Sequence, residues 1–202
     1  MNKSQIRSQL LALLNRNDCS NELADTFIEQ SVARIQRVLR VPAMEQSVQY
    51  TINAIAGDTL VLPSDFLNMK LLISQDTLLE YVDPQRFFSY PKTGAAASVY
   101  TRMQGALKLR PVPPAGTEVL MIYHGEIPDF TGDTSTTFLS EIAPDLLVYG
   151  ALTYASDYFV DERKPLFEET YARVFAELQE QAYMAEMEQS SMRMASPYST
   201  DY

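Results

Sequence analysis

Few side chains in this 202-residue chain carry reactive chemistry: it has one histidine, His124, and one cysteine, Cys19. A hydrolase or transferase built from them would use His124 as the base and Cys19, or a serine, as the nucleophile. Cys19 stands at a helix entrance, where the dipole favours a thiolate. Nothing in the spacing brings His124 to it, and a lone imidazole at a strand end reads as a structural or rim residue. Carboxylates come in adjacent pairs, Asp161-Glu162 and Glu168-Glu169. Adjacent residues leave a helix on different sides, so neither pair offers an acid and a base to one substrate. One His and one Cys make no zinc ligand set, and no stretch has the glycine spacing of a phosphate loop. Neither catalysis nor a cofactor nor a metal is expected, and the chain reads as a part that holds other parts together.

The bulk numbers agree with that reading. With 46% hydrophobic and 21% charged residues, the composition is that of a globular chain long enough for one core plus a small inserted module. No apolar run reaches the length of about 18 residues that a membrane span requires. The start, Met1-Asn2-Lys3-Ser4-Gln5, lacks a signal core, so export is not expected. A single cysteine forms no internal disulfide and fits a reducing compartment. The net charge of −10 is uneven, at +2 over residues 1–41, −4 over 42–140 and −8 over 141–202. Wrapping a phosphate backbone needs clustered Lys and Arg, so specific DNA binding is not expected.

Period 3.6 marks both ends of the chain. Ser4 to Leu14 reads as an amphipathic helix with Ile6, Leu10, Leu13 and Leu14 on one side, followed by a polar turn over Asn15-Arg16-Asn17-Asp18. Ser20 offers an N-cap, with Glu22 in the first turn. The helix it opens carries Leu23, Phe27, Ile28, Ile35 and Leu39 and should stop near Val41-Pro42. Its last turns are expected to expose Arg34, Arg37 and Arg40. These arginines suit a solvated helix C-terminus, or form a contact strip for an acidic neighbouring subunit.

From Ser47 the period becomes two. Val48, Tyr50 and Ile52 alternate, Gly57-Asp58 turns, and Thr59–Leu62 returns, which reads as a hairpin. Met69–Ser74 is the next strand, Leu78–Val82 a shorter one, and Pro84–Phe88 a helical turn. Ser98–Met103 and Ala106–Arg110 form a second hairpin about Gln104-Gly105. In the strand Glu118–Gly125, Val119, Met121 and Tyr123 face one way and Leu120, Ile122 and His124 the other. Both faces read as covered, as for a sheet packed on helices.

Ile127–Phe138 is a polar loop and the expected flexible connection. Ile142–Val160 is apolar all round and reads as the buried central helix. Asp161 caps a further helix that runs to about Gln189, roughly 40 Å at about 1.5 Å per residue, with Phe167, Tyr171, Val174, Leu178 and Ala185 as its apolar stripe. The tail, Ser190–Tyr202, has no period and is expected to be flexible. Its Met192, Met194, Tyr198 and Tyr202 are candidate anchors for a partner groove. The expected fold is α+β: an antiparallel helical bundle (residues 1–44 and 128–189), an inserted β-rich module (45–127), a long C-terminal helix and a flexible tail (190–202).

The segment Ala143-Pro144-Asp145-Leu146-Leu147-Val148-Tyr149-Gly150-Ala151-Leu152 resembles the central helix of the head-to-tail adaptor, or connector, proteins of tailed bacteriophages. Leu62-Pro63-Ser64-Asp65-Phe66-Leu67 is similar to the turn after that family's first hairpin. Leu79-Glu80-Tyr81-Val82 before Pro84, and Met103 through Pro113, resemble its next segments in order. Tyr123 and Ile127-Pro128 resemble the close of its last strand. The resemblance covers roughly residues 20–180 and is weakest at residues 1–19 and beyond Gln189. It implies a noncatalytic virion structural protein made in the host cytoplasm: one subunit of a homo-oligomeric, most often dodecameric, ring in the neck between head and tail. Portal protein on one side and tail nozzle or tube proteins on the other would be its partners, with DNA passing through the channel unbound and no membrane involved. An acidic chain suits such a conduit, and Glu168, Glu169, Glu177, Glu180, Glu186 and Glu188 either line it or form an ordinary solvated face. The alternative is a soluble helical interaction or scaffold module unrelated to phages.

Overall fold

The computed structural model describes residues 1–53 and 58–189, and the chain divides into two units: Met1–Ala43 with the chain from Ile127 onward, and Met44–Glu126. In chain order the helices are α1 (Lys3–Leu14), α2 (Asn21–Val38), α3 (Pro84–Phe87), α4 (Phe138–Ile142), α5 (Pro144–Phe159) and α6 (Lys164–Gln189). The strands are β1 (Glu45–Thr51), β2 (Thr59–Val61), β3 (Phe66–Ser74), β4 (Thr77–Leu78), β5 (Glu80–Tyr81), β6 (Val99–Met103), β7 (Ala106–Arg110) and β8 (Glu118–Gly125). The class is α+β, as the two hydrophobic periods require.

In the helical unit α5 is the centre. Leu146, Leu147, Val148, Ala151, Leu152 and Ala155 are fully buried, and α1, α2, α4 and α6 pack on it. Each large apolar side chain so buried stabilises the unit by about 1.5–3 kcal/mol. Gly150 sets how closely α2 approaches. A Cβ there would collide with the Ser31 Oγ and lie 3.2 Å from the Tyr171 Cε2. The Ser31 hydroxyl occupies the vacated space and donates to the Leu147 carbonyl at 3.1 Å. Ile6, Leu10 and Leu14 of α1, with Ala24, Phe27, Ile28 and Ile35 of α2, complete the core.

The helix starts follow their caps. Asn2 and Gln5 form a reciprocal capping box on α1, and the Ser20 side chain accepts from the Leu23 N–H on α2. α2 stops at Val38, three residues short of Val41-Pro42. Asp161 accepts from the Arg163 N–H at 2.9 Å, just ahead of α6. The Arg163 guanidinium returns to Asp161 and donates to the Leu13 and Leu14 carbonyls at 3.2 and 2.9 Å, so it satisfies orphan acceptors at the end of α1. Arg163 thereby holds the Asp161 carboxyl down to about 2.

The polar loop between Ile127 and Phe138, expected to be flexible, is tied down. Its Ser135 and Asp133 carbonyls accept from the Lys3 and Ser4 N–H groups at 3.2 and 3.0 Å. The Arg7 side chain bridges Asp25 and Asp133. The first turn of α1 has orphan donors that need acceptors, and the loop carbonyls supply them.

The β unit is two four-stranded sheets, in the orders β1-β8-β3-β4 and β2-β7-β6-β5. Leu72, Val119, Met121 and Tyr123 of the first sheet share one core with Leu60, Tyr100, Leu107 and Leu109 of the second. Three expectations are corrected here. The first hairpin does not form a ladder: β1 pairs with β8 (Glu45 with His124 through Thr51 with Glu118), while β2 pairs with β7. Leu78–Val82 is not one strand: the chain changes sheets at Leu79, whose N–H donates to Leu72, while that of Glu80 donates to Ser98. Within this unit a second sheet, not a helix layer, covers the inward face of β8. The β6–β7 hairpin does form as read, with Gln104 and Gly105 at φ 53° and 74°, as its two-residue turn requires.

Candidate functional site

Arg34, Arg37 and Arg40 differ in their surroundings. Arg37 is exposed and donates into its own helix, to the Ala33 carbonyl at 3.0 Å. Arg40, past the end of α2, donates to the Gln36 and Leu39 carbonyls at 2.8 and 2.5 Å. Arg34 is not exposed as read. It is half-buried, its guanidinium lies 4.1 Å over the Tyr171 ring, and it ion-pairs with Glu168 and donates to Thr153. One side chain therefore joins α2, α5 and α6, and its hydrogen bonds hold the Glu168 carboxyl below the usual range. A charged side chain three residues from Arg37 belongs to the inside because α6 brings both an acid and an aromatic face to it.

Along α6, Phe167 and Tyr171 are buried, Val174 and Leu178 half-buried, and Tyr183 and Met184 are 58% and 54% exposed. Glu169, Glu177, Glu180 and Glu186 are exposed. Beside this second half runs an apolar groove of about 210 Å³. Its walls are Val41–Ala43, Phe138 and Ile142 on one side and Leu178, Ala182 and Ala185 on the other. Asp145 and Glu177 stand at the adjoining rim. Ile142 is 55% exposed there. No sequence pattern marks such a groove directly. The continuation of the α6 stripe into small residues, Ala182 and Ala185, is the one signal that could have found it. Met192, Met194, Tyr198 and Tyr202 lie outside the described residues.

The chemical candidates have structural occupations. Burial, then the neighbouring Asp18, push the Cys19 thiol up despite its place at a helix entrance. Cys19 belongs to the helical unit and His124, 8% exposed, to the β unit. Among the described residues no group of His, Cys, Asp and Glu could hold a metal ion, and no helix is long and apolar enough to cross a membrane.

The residues of the ordered motifs are ties as well. The Asp65 carboxylate accepts from the Tyr123 hydroxyl at 3.0 Å, and the Asp65 carbonyl from the Glu126 N–H at 2.8 Å. Phe66 stacks on the Tyr123 ring at 5.7 Å. Burial, and then the Asp65 bond, push the Tyr123 hydroxyl up to about 12. Thus the Leu62–Leu67 turn is locked to the end of β8.

A family model described as SU10 adaptor protein matches residues 1–200. The chain belongs to the SU10 adaptor protein family. The match spans both units and extends past the region, residues 20–180, that carried the resemblance to phage head-to-tail adaptors. No curated protein gives a significant match. As an adaptor the chain is a bacteriophage structural protein of the virion, associated with other head and tail proteins.

Proposed function

We propose that this adaptor is a noncatalytic subunit of a dodecameric ring that joins the portal vertex to the tail and extends the DNA channel. The family match over residues 1–200 is the observation that carries this reading. In it, the helical unit is an antiparallel bundle forming the ring body, and residues 45–127 are an inserted module that reaches neighbours or tail proteins. Segment 190–202 contacts the portal through Met192, Met194, Tyr198 and Tyr202. Arg37 and Arg40, with Arg34 as their inner anchor, present positive charge to the acidic face of a neighbouring subunit, which sets register more than affinity. The net charge of −10 supports a conduit whose walls repel the phosphate backbone.

Mass photometry and negative-stain microscopy of the chain, alone and mixed with its cognate portal, test the proposal. Rings, with or without portal, are the expected result and give the subunit count. A chain that stays monomeric and ignores the portal would overturn it.

A further inference from the structure

We propose that the apolar groove beside the second half of α6 is the seat of the chain's own segment 190–202, which folds back along the helix it follows. The observations concern where the groove lies, what it lacks and what the segment carries. The groove is walled by Leu178, Ala182 and Ala185 of α6 facing Phe138, Ile142 and Val41–Ala43. The alanines leave room where larger side chains would close it, and Ile142 is left 55% exposed. A groove this apolar gains by being covered.

The helical repeat that carries Leu178, Ala182 and Ala185 to the groove, at steps of four and three, brings the backbone at Gln189 to the same side. The chain therefore leaves α6 beside the groove it would enter. Ala182 lies roughly 11 Å back from Gln189 along the axis, at about 1.5 Å per residue. The five residues from Gln189 to Met194 reach roughly 16 Å at full extension, so the surplus suffices for the reversal. The first two residues of the segment, Ser190 and Ser191, are small and polar and suit that turn.

Composition fits the seat too. In an extended chain Met192 and Met194 share one face, and the flexible thioethers suit an irregular apolar slot. Arg193 between them would then point out of the slot, whose adjoining rim carries the carboxylates of Asp145 and Glu177. The nearest acid of the segment itself is Asp201, eight positions away. The inference concerns the isolated chain and stands whether or not the ring reading holds.

The peptide bond after Arg193 is a trypsin site inside the segment, so its cleavage rate in the full chain reports on the seat. It should be cut about tenfold more slowly than in Ala182→Trp, whose indole fills the groove, and than in Met192→Ser/Met194→Ser. The serine pair leaves every described residue in place and decides alone if the tryptophan disturbs the helical unit. Equal rates in the parent chain and the serine pair overturn the proposal. Protection that rises with protein concentration also overturns it, because a second copy would then supply the occupant.

Discussion

Val160 caps the C-terminus of α5 with φ at 54° and is 88% exposed. A β-branched residue in the left-handed region is strained by about 1–2 kcal/mol, and so little of this side chain is covered that packing offsets almost none of it. Val160→Gly should therefore raise the stability by about 1 kcal/mol, the glycine's extra freedom in the unfolded chain taking back part of the relief. Denaturant unfolding decides it, and an unchanged or lower midpoint would mean that Val160 makes contacts worth more than its strain. Asn15 ends α1 at the same φ of 54°, but its short polar side chain tolerates that conformation, so Asn15→Gly should change little. Gly150 is the opposite case. There a methyl meets the Ser31 hydroxyl and the Tyr171 ring, and Gly150→Ala should destabilise by about 1–3 kcal/mol as an overpacked core does. Adding Ser31→Ala should return part of that loss in the same assay. If it returns nothing, the close approach of α2 to α5 is not the cause.

At the scale of elements, the first two turns of α6 are held by Phe167, Tyr171 and the Arg34–Glu168 pair, and residues 179–186 are largely exposed. Arg34→Met removes the pair and the ring contact together, and Glu168 retains 43% exposure. The expected loss is about 1–2 kcal/mol, with amide exchange quickened in residues 164–171 and unchanged in α1. The pair also fixes a pH response. Glu168 has its folded value lowered below the ordinary 4.5, so its contribution is complete above 4.5 and fades as the pH falls through the lowered value. Asp25 behaves alike. Burial pushes its carboxyl up, but the Arg7 and Lys3 hydrogen bonds outweigh that and keep it below 3.8. Stability should be level from neutral pH down to about 5 and decline below about 4.5, and Arg34→Met should decline less steeply. An identical acid slope in the variant would remove Glu168 from the account. The long helices were legible in the sequence because caps, a 3.6 period and an unbroken apolar run are local, as at Ser20, along α2 and along α5. Long-range strand partners were not. The alternation of Val48 and Tyr50 states which side chains share a face but not which strand lies alongside, and β1 finds β8 some 70 positions away. Leu79 looks like mid-strand in sequence, yet it is where the chain passes between sheets. Arg34 read as surface because its partners come from a helix more than 130 positions later, and the groove is invisible until α4 and α6 are placed together.

For the whole molecule, the pairing of β1 with β8 has a consequence for how the chain is assembled. Glu45 is the register partner of His124, so the two ends of Met44–Glu126 lie about one strand spacing apart, roughly 5 Å. A unit whose ends meet can be carried by another without stretching it. The unit also has its own core, from both of its sheets, and at 83 residues, counted from Met44 to Glu126, it is long enough to bury one. We therefore expect residues 44–126, expressed alone, to unfold cooperatively and to give a dispersed amide spectrum. The complementary chain, with 44–126 replaced by a short Gly/Ser linker, should keep its helical circular dichroism. Its core includes buried residues of α1, α2, α4, α5 and α6, and closing so short a loop adds little entropy. Both pieces folding would make the β-rich segment an insertion in the thermodynamic sense, free to vary in an adaptor while the helical unit stays fixed. If either piece is unfolded by itself, the two units share their stability, and a change in one should then shift the unfolding of the other.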